Sequence, residues 1–303
     1  MRVAVLMSTY NGEKYLREQM DSLLRQTGVS VELFVRDDGS TDGTIDILKD
    51  YLKKNPNIHL KFGKNVGVGN SFMSLVSSVP DNFDYYAFSD QDDIWLDDKL
   101  SKAIEKIGII EKPVLYCSNQ TLVDSDGKKI GVRFNKVPNI STEKILVHNK
   151  VTGCTMVWNR NLQAILSTHI PSENMLRNRI HDVWVAMVAS VCGKIIYDVQ
   201  GYFLYRQHES NVVGAKENTG IDVLKEKIKK LNNKKYRNGR SLLAKEMVKL
   251  FPTEVTKKNM LIIAADAHSL AGKKKIIKHC KDFVEYSGEK EVDFIFKVVL
   301  GFF

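Results

Sequence analysis

The segment Tyr85-Tyr86-Ala87-Phe88-Ser89-Asp90-Gln91-Asp92-Asp93 joins a short apolar run to a cluster of carboxylates. The aromatic run is typical of a buried strand. Three aspartates directly after it concentrate negative charge, which is unfavourable unless a cation is held there. Hard divalent cations such as Mg²⁺ and Mn²⁺ prefer oxygen ligands and often bridge carboxylates to substrate phosphates. A solvated acidic turn before a helix that begins near Leu96 is the alternative.

The same order of apolar strand and polar turn recurs through the first half of the chain. Strands are predicted at residues 3–7, 31–35, 58–62 and 85–88, and apolar residues at helical spacing follow the turns between them. Repeated β-α units predict an α/β fold with a mostly parallel sheet flanked by helices. Ligands of such sheets bind at the carboxyl ends of the strands, so the polar turns predict one shared nucleotide site.

The individual turns contain residue types suited to a nucleotide. Thr9-Tyr10-Asn11-Gly12 can offer a hydroxyl, a ring and backbone amides to a base or ribose. Asp37-Asp38-Gly39-Ser40 contains carboxylates that could accept a hydrogen bond from a pyrimidine N3–H, although a helix-capping turn explains it equally well. Lys64-Asn65, followed by two glycines, could let the backbone approach a phosphate.

The second half of the chain is less regular. Residues 114–118, 129–134, 155–158, 194–199 and 202–205 are predicted strands, and residues 182–191 a helix. His181-Asp182 precedes that helix and offers either a general base or an N-cap carboxylate. Tyr205-Arg206-Gln207-His208 follows the last strand and supplies an imidazole that could complete a metal site.

Charge is distributed unevenly along the 303 residues. The formal net charge is +9, and residues 216–303 alone contain 20 Lys or Arg against 11 Asp or Glu. This change predicts a boundary near Val213-Gly214-Ala215, with a catalytic domain at 1–215 and a basic helical region at 216–303. The apolar ending at residues 292–303 could lie in a membrane interface, or pack on the protein or in a homodimer.

Cysteine usage and hydropathy indicate the compartment. Four cysteines (Cys117, Cys154, Cys192 and Cys280) show no spacing typical of a zinc site, which favours buried thiols in a reducing compartment. No apolar stretch reaches the roughly 18–20 residues of a membrane span. We therefore expect a cytoplasmic protein, which the basic region could bring to the inner face of the cell membrane.

Taken in order, the motifs of residues 1–215 resemble those of family 2 glycosyltransferases of the GT-A fold. Two segments resemble the bacterial rhamnosyltransferase branch of that family, namely Ser89-Asp90-Gln91-Asp92-Asp93-Ile94-Trp95 and Tyr205-Arg206-Gln207-His208. Enzymes of that branch build streptococcal-type rhamnose polysaccharides and O-antigens from dTDP-L-rhamnose. One departure is His181-Asp182, where the family usually has an acidic pair, so that only Asp182 fits the role of base.

The resemblance implies an inverting transfer that depends on a divalent cation. Asp182 would take the proton of the acceptor hydroxyl, and Asp92 and His208 would hold Mn²⁺ or Mg²⁺. The residues implied to bind the nucleotide are Thr9, Tyr10, Asn11, Asp37, Asp38, Asn65 and Asp90. The residues implied to lie beside the donor or acceptor sugar are Asp93, Trp95, Gly153, His181 and Arg206. A core position suits Trp95 equally well.

The implied partners are a nucleotide-sugar donor, most simply dTDP-L-rhamnose, and a lipid-linked glycan acceptor. A UDP-sugar donor, or a protein that binds a nucleotide sugar without transferring it, are alternatives. Nucleic-acid binding is disfavoured, because the excess positive charge lies outside the domain that contains the motifs. The basic region also lacks the interleaved aromatic residues on which bases would stack.

Overall fold

The computed structural model of the chain describes residues 1–178, 180–208 and 238–303. It divides into two compact units. Of the described residues, the first comprises 1–138, 151–170 and 192–208, and the second comprises 139–150, 171–178, 180–191 and 238–303. The composition boundary predicted near residue 215 lies outside the described residues.

The first unit contains the sheet. Its strands are β1 (Arg2–Thr9), β2 (Ser30–Asp37), β3 (Ile58–Phe62), β4 (Tyr85–Ser89), β5 (Ile94–Trp95), β6 (Val114–Val123), β7 (Lys129–Val132), β8 (Val157–Asn159) and β9 (Lys194–Arg206). Its helices are α1 (Glu13–Leu24), α2 (Thr44–Lys54), α3 (Val68–Ser78), α4 (Lys99–Ile107) and α6 (Arg160–Thr168), with a 3₁₀ turn at Gly153–Thr155.

The second unit is built from helices in the part of the chain that the structure describes. They are α5 (Thr142–His148), α7 (Glu173–Asn178), α8 (His181–Cys192), α9 (Gly239–Leu250), α10 (Asn259–Ala265), α11 (Leu270–Lys278), α12 (Cys280–Ser287) and α13 (Glu291–Leu300), with a 3₁₀ turn at Glu254–Lys257. Phe283, Phe294 and Phe303 pack with ring centroids 5.2–5.7 Å apart and form part of its core.

The sheet is parallel in its first half and mixed beyond it. Its strand order is β3-β2-β1-β4-β8-β6-β9-β5, and β7 pairs with β6. The pairs among β3, β2, β1 and β4 are parallel, as predicted. Beyond β4 the sheet departs from the mostly parallel prediction, because the short β8 runs antiparallel to both β4 and β6. The two central parallel strands, β1 and β4, are almost entirely buried, which is consistent with their continuous apolar runs.

The strand register brings the polar turns to one edge of the sheet. Thr9 at the end of β1 is paired with Asp37 at the end of β2, and Met7 is paired with Ser89 at the end of β4. The turns after β1, β2 and β4 therefore begin side by side, which confirms the expectation that they share one edge. The antiparallel pairing of Ile94 with Leu204 also carries the residues before β5 toward the end of β9.

Several elements differ from the sequence prediction. The strand pair predicted at 194–199 and 202–205 is one continuous strand, β9, and the two-residue strand β5 was not expected. Helices α5, α6 and α7 were not predicted either. None of the helices in the described parts of the chain combines the length and apolar character needed to cross a bilayer.

Candidate active site

The turns that follow β1 and β2 are joined by side-chain to backbone hydrogen bonds. The backbone N–H of Asn11 donates to Ser40 Oγ at 2.9 Å, and Asn11 Oδ1 accepts from the backbone N–H of Thr41 at 2.8 Å. The N–H of Gly12 donates to Thr44 Oγ1 at 2.8 Å. Asn11 adopts a positive φ of 48°, which asparagine tolerates better than most residues. The two turns therefore form one rigid rim at the sheet edge.

Asp37 organises the turn that it begins. Its carboxylate accepts hydrogen bonds from Thr9 Oγ1 at 3.0 Å, from the N–H of Gly39 at 3.1 Å and from the N–H of Ser40 at 2.9 Å. Gly39 has a φ of 85°, and a Cβ there would lie 3.2 Å from the backbone nitrogen of Asn65. Only glycine allows this close approach, which brings the exposed Asn65 beside the turn.

Asp38 is buried and holds the loop before α3. It pairs with the Arg36 guanidinium, and its two oxygens accept from the N–H groups of Val66 and Gly67, each at 2.9 Å. Arg36 also donates to the carbonyl of Lys64 at 3.0 Å. Much of the acceptor capacity of Asp38 is therefore used inside the protein. Less of it is left to accept a hydrogen bond from a pyrimidine N3–H, which is the role that the sequence predicted.

Gln91 of the acidic motif is hydrogen-bonded to Tyr10, which lies in the rim formed by the turns after β1 and β2. Gln91 Oε1 accepts from the backbone N–H of Tyr10 at 2.9 Å, and Gln91 Nε2 donates to the Tyr10 carbonyl at 3.0 Å. Both backbone groups of Tyr10 are thus engaged, while its ring is 48% exposed. The ring is free to contact a flat ligand that lies over the sheet edge.

The acidic motif meets the end of β9. Asp92 Oδ2 lies 2.9 Å from His208 Nε2, with both side chains only partly exposed. The Tyr15 ring lies 5.1 Å from the His208 ring, and the buried Tyr15 hydroxyl has no hydrogen-bond partner in the described structure. The structure thus brings together the two residues that the sequence predicted as metal ligands.

A second group of ligand atoms lies beside this pair. One atom each of Asp90, Asp93 and Cys154 lie within 4.8 Å of one another. Asp93 is fully buried, and its Oδ2 has no hydrogen-bond partner among the described residues. Burial, followed by the charges of Asp92 and Asp90, raises the pKa of Asp93 well above its usual range. A cation near this orphaned oxygen would relieve the repulsion.

The chemistry of these atoms favours a hard divalent cation. Burial raises the pKa of the Cys154 thiol well above its usual range, so the sulfur stays protonated and is a poor ligand. The carboxylates of Asp90 and Asp92 and the imidazole of His208 are the donors that Mn²⁺ or Mg²⁺ accepts. The residues present therefore fit a divalent cation, with Cys154 as a neighbour of the site.

Arg206 is buried and its guanidinium is engaged by the protein. It donates to the carbonyl of Asp92 at 3.2 Å and to the carbonyl of Ser125 at 2.7 Å, and it pairs with Glu18 at 2.5 Å. It also stacks over the Tyr15 ring at 4.6 Å. We expected Arg206 beside the sugar, and the structure instead gives it contacts that hold the Asp92 backbone in place.

Trp95 lies in the hydrophobic core, which is the second of the two positions that the sequence allowed. Its ring is 1% exposed and is covered by the Lys99 ammonium at 3.2 Å from the ring centroid. Gly153 is also buried and begins the 3₁₀ turn that contains Cys154. Gly153 therefore directly precedes Cys154, whose sulfur lies within 4.8 Å of carboxylate oxygens of Asp90 and Asp93.

His181 and Asp182 belong to the second unit. Both are buried in the first turn of α8, so Asp182 lies inside the helix rather than at its N-cap. Its Oδ1 accepts from the N–H of Val183 at 2.6 Å, and a carboxylate in the first turn of a helix is favoured by the helix dipole. Burial lowers the pKa of His181 to about 3, which keeps this imidazole neutral.

Sequence reasoning overlooked several residues that shape the site. Arg36, Gln91 and Lys99 each hold a functional segment through contacts that are distant in sequence. Gln91 lies inside the quoted acidic motif, and its position between aspartates was the available signal. Arg36 directly follows the apolar residues 33–35 of β2, where a charged side chain indicates a buried partner.

Comparisons with known proteins place these motifs in a family context. The model described as Glycosyl transferase family 2 matches residues 4–165. The dTDP-rhamnosyl transferase RfbG of Shigella flexneri is 32% identical over 238 residues, which cover 76% of this chain and 81% of that protein. The putative teichuronic acid biosynthesis glycosyltransferase TuaG of Bacillus subtilis (strain 168) is 31% identical over 157 residues, covering 51% of this chain and 60% of TuaG.

Solved structures show the same fold. S. aureus TarS 1–349 in complex with UDP-GlcNAc superimposes with a TM-score of 0.54 at 20% identity, covering 97% of this chain and 84% of that chain. TarS 1–349 in complex with UDP gives a TM-score of 0.55 at 18% identity, covering 98% of this chain and 90% of that chain. Identities this low support the fold alone, a mixed sheet flanked by helices.

Proposed function

This chain belongs to glycosyl transferase family 2, and we propose that it transfers L-rhamnose from dTDP-L-rhamnose to a hydroxyl group of a lipid-linked or growing cell-surface polysaccharide. As a member of the family with a GT-A-like fold, it is a glycosyltransferase that uses a nucleotide-sugar donor. The proposed donor follows from the similarity to the dTDP-rhamnosyl transferase RfbG, which extends over most of both chains.

The observation that carries the proposal is the carboxylate–imidazole pair of Asp92 and His208, which are 2.9 Å apart. The pair lies at the sheet edge where the rim formed by the turns after β1 and β2 also lies. We propose that this pair, with Asp90 beside it, holds Mn²⁺ or Mg²⁺. Bound there, the cation would act as a Lewis acid toward the charge that develops on the leaving diphosphate. Arg206 keeps the backbone of Asp92 in place for that role.

The nucleoside is assigned to the rim formed by the turns after β1 and β2. The exposed Tyr10 ring supplies a surface for the base, while Gln91 fixes its backbone. Asp37 and Asp38 act mainly by holding the rim and the following loop, since most of their acceptor capacity is used there. Asn65 is exposed next to Gly39, where its loop can approach a phosphate.

Asp182 is the proposed general base of an inverting displacement. Its carboxylate would accept the proton of the acceptor hydroxyl while that oxygen attacks the anomeric carbon, and the nucleoside diphosphate would leave from the opposite face. A positioned base of this kind contributes about 10²–10⁴-fold to the rate. The neutral His181 next to it adds no positive charge that would lower the basicity of Asp182.

Transfer assays with several donors test the proposed chemistry. Purified protein is incubated with Mn²⁺, an acceptor glycan and either dTDP-L-rhamnose or a UDP-hexose, and release of dTDP or UDP is followed. We expect acceptor-dependent release of dTDP from dTDP-L-rhamnose and little release of UDP. Acceptor-dependent turnover of a UDP-sugar alone would keep the transferase and overturn the donor.

We also propose that the protein works at the cytoplasmic face of the cell membrane. The outward face of α13 presents Val292, Phe296, Val299 and Leu300, which are 42–77% exposed. Lys273 on α11 donates to the carbonyl of Val299 at 2.8 Å, and two further exposed lysines follow it in sequence. An apolar helical stripe bordered by lysines suits an anionic lipid surface, where each basic residue contributes about 1 kcal/mol.

Point substitution tests the membrane surface better than deletion of residues 292–303, because Phe294 and Phe303 are buried in the second unit. Phe296→Glu should weaken sedimentation with phosphatidylglycerol vesicles by at least about tenfold, since one buried aromatic ring is worth about 1.5–3 kcal/mol. Ile109→Glu changes a fully exposed residue of the first unit and is the matched control. Unchanged vesicle binding by Phe296→Glu, with a lower molar mass in light scattering, would point to a homodimer instead.

A further inference from the structure

Tyr15 lies beside the proposed metal ligands, and the proposed mechanism gives it no role. It belongs to the first turn of α1 and is half-buried. Its ring centroid lies 5.1 Å from that of His208, at an interplanar angle of 34°. The guanidinium of Arg206 lies over the same ring, 4.6 Å from its centroid. One aromatic ring of α1 therefore contacts two side chains at the end of β9.

Both of these side chains contact Asp92. The imidazole of His208 lies 2.9 Å from its carboxylate, and the guanidinium of Arg206 donates to its backbone carbonyl at 3.2 Å. His208 lies two residues beyond the last residue of β9, so strand pairing holds it less firmly than it holds Arg206. The orientation of the imidazole then depends on contacts of the ring itself. The Tyr15 ring supplies one such contact, on the side chain that the site needs as a ligand.

The helix is itself held against the end of β9. Tyr15 and Glu18 are three residues apart on α1 and are therefore neighbours on its surface. Glu18 forms an ion pair with Arg206, so this part of the helix surface makes two contacts with the same guanidinium. The Tyr15 hydroxyl is buried and has no hydrogen-bond partner among the described residues. The contacts that Tyr15 makes with His208 and Arg206 are thus contacts of its ring.

We propose that Tyr15 is a positioning residue whose ring holds the His208 imidazole in the orientation that binds the divalent cation. This inference rests on the proposed metal site. Residues that orient a metal ligand typically contribute about 10–100-fold to metal affinity. A ring contact lacks the directionality of a hydrogen bond, so we expect an effect near the lower end of that range.

Titration of the protein with Mn²⁺ in the absence of nucleotide, followed by electron paramagnetic resonance, tests this role. Tyr15→Leu should weaken Mn²⁺ binding about tenfold, because leucine offers the imidazole no ring to pack on. Tyr15→Phe keeps the ring and should bind Mn²⁺ within about twofold of the wild type. Unchanged affinity in Tyr15→Leu would overturn the proposal. An equal loss in both variants would also overturn it, because the hydroxyl would then be the group that matters.

A double-mutant cycle with His208→Gln shows whether Tyr15 acts through the imidazole. In the His208→Gln background no imidazole is left to orient, so Tyr15→Leu should change the Mn²⁺ affinity by less than about threefold. A further loss of about tenfold in that background would contradict the proposal, because Tyr15 would then act on another part of the site.

Tyr51→Leu is the matched control for a disturbance of α1. Tyr51 belongs to α2 and is also half-buried, and its hydroxyl donates to Asp21 Oδ1 on α1 at 2.5 Å. Its loss should leave the Mn²⁺ affinity within about twofold of the wild type, since distant sites act independently. A loss in Tyr51→Leu as large as that in Tyr15→Leu would show that any displacement of α1 weakens the site, and the specific role of Tyr15 would be refuted.

Nuclear magnetic resonance of the His208 ring separates this inference from the proposed metal site. A wild type that binds no Mn²⁺ would refute the metal site, and the resonances in EDTA would still show whether Tyr15 orients His208. They are assigned in histidine-labelled protein by their loss in His208→Gln. Tyr15→Leu should shift them and Tyr15→Phe should leave them nearly unchanged, whereas unshifted resonances in Tyr15→Leu would overturn the proposal. If Tyr15→Leu does not fold, Tyr15→Met takes its place with the same expectations.

Discussion

Gly12→Ala is expected to break the two hydrogen bonds between the Gln91 side chain and the Tyr10 backbone, although Gln91 itself is not replaced. A Cβ built on Gly12 would lie 2.3 Å from Gln91 Oε1 and 2.5 Å from its Cδ, so the glutamine side chain must move. The backbone at Gly12, with φ −104° and ψ 8°, is otherwise open to alanine. Movement of Gln91 breaks both of its hydrogen bonds to the Tyr10 backbone.

The expected magnitude follows from those two bonds. Each is worth about 0.5–1.5 kcal/mol net, so their loss should lower the free energy of unfolding by about 1–3 kcal/mol. Replacing glycine also restricts the unfolded chain, which offsets up to about 1 kcal/mol of that loss. Affinity for dTDP should fall as well, because Tyr10 is no longer held at the rim.

Urea unfolding of four proteins provides the assay: wild type, Gly12→Ala, Gln91→Ala and the double variant. In the Gln91→Ala background the clash is absent, so we expect Gly12→Ala to be neutral or slightly stabilising there. Gly131→Ala is the matched control, since a Cβ at Gly131 meets nothing within 4 Å. If Gly12→Ala lowers the free energy of unfolding equally in both backgrounds, the reasoning is refuted, because the clash would then involve something other than Gln91.

Three further outcomes are expected. Asp182→Asn should lower kcat at least about 10²-fold with dTDP affinity nearly unchanged, and wild-type turnover would remove Asp182 as the base. His208→Gln should weaken Mn²⁺ binding about 10–100-fold, and unchanged Mn²⁺ affinity would move the metal elsewhere. His181 has a folded pKa of about 3 against about 6.5 when unfolded, so stability should fall as pH drops through that window, by about 1.4 kcal/mol per pH unit. His181→Phe should lack this dependence, and an unchanged slope in urea unfolding between pH 6 and pH 4 would show that another group titrates.

The first four strands could be predicted because each is a short run rich in apolar residues that ends in a polar turn. The structure places all four within two residues of the predicted ends, and the parallel order confirms that their turns share an edge. The two-residue strand β5 carries no such pattern. The continuous β9 was divided in the prediction at Gly201, where the structure has an irregular register against β6. A Cβ on Gly201 would lie 2.9 Å from Thr121 Oγ1, so this glycine permits close packing inside the strand.

The site was predictable only in its motif residues. Asp92 and His208 were paired from the resemblance, and the structure brings them to 2.9 Å. The contacts of Arg206 and the burial of Lys99 were not visible, because they depend on the antiparallel register of β5 and β9 and on the 3₁₀ turn at Gly153–Thr155. A lysine at the start of a helix otherwise suggests a solvated side chain.

The most direct measurement of the central claim is calorimetric titration of the protein with dTDP and with UDP, each in Mn²⁺ and in EDTA. We expect dTDP to bind in Mn²⁺, more tightly than UDP, and to lose most of that affinity in EDTA. Asp92→Asn should bind dTDP in Mn²⁺ only as weakly as the wild type does in EDTA. Binding of dTDP that is equally tight with Mn²⁺ and with EDTA, or no binding of either nucleotide, would contradict a metal-dependent nucleotide-sugar site at Asp92 and His208.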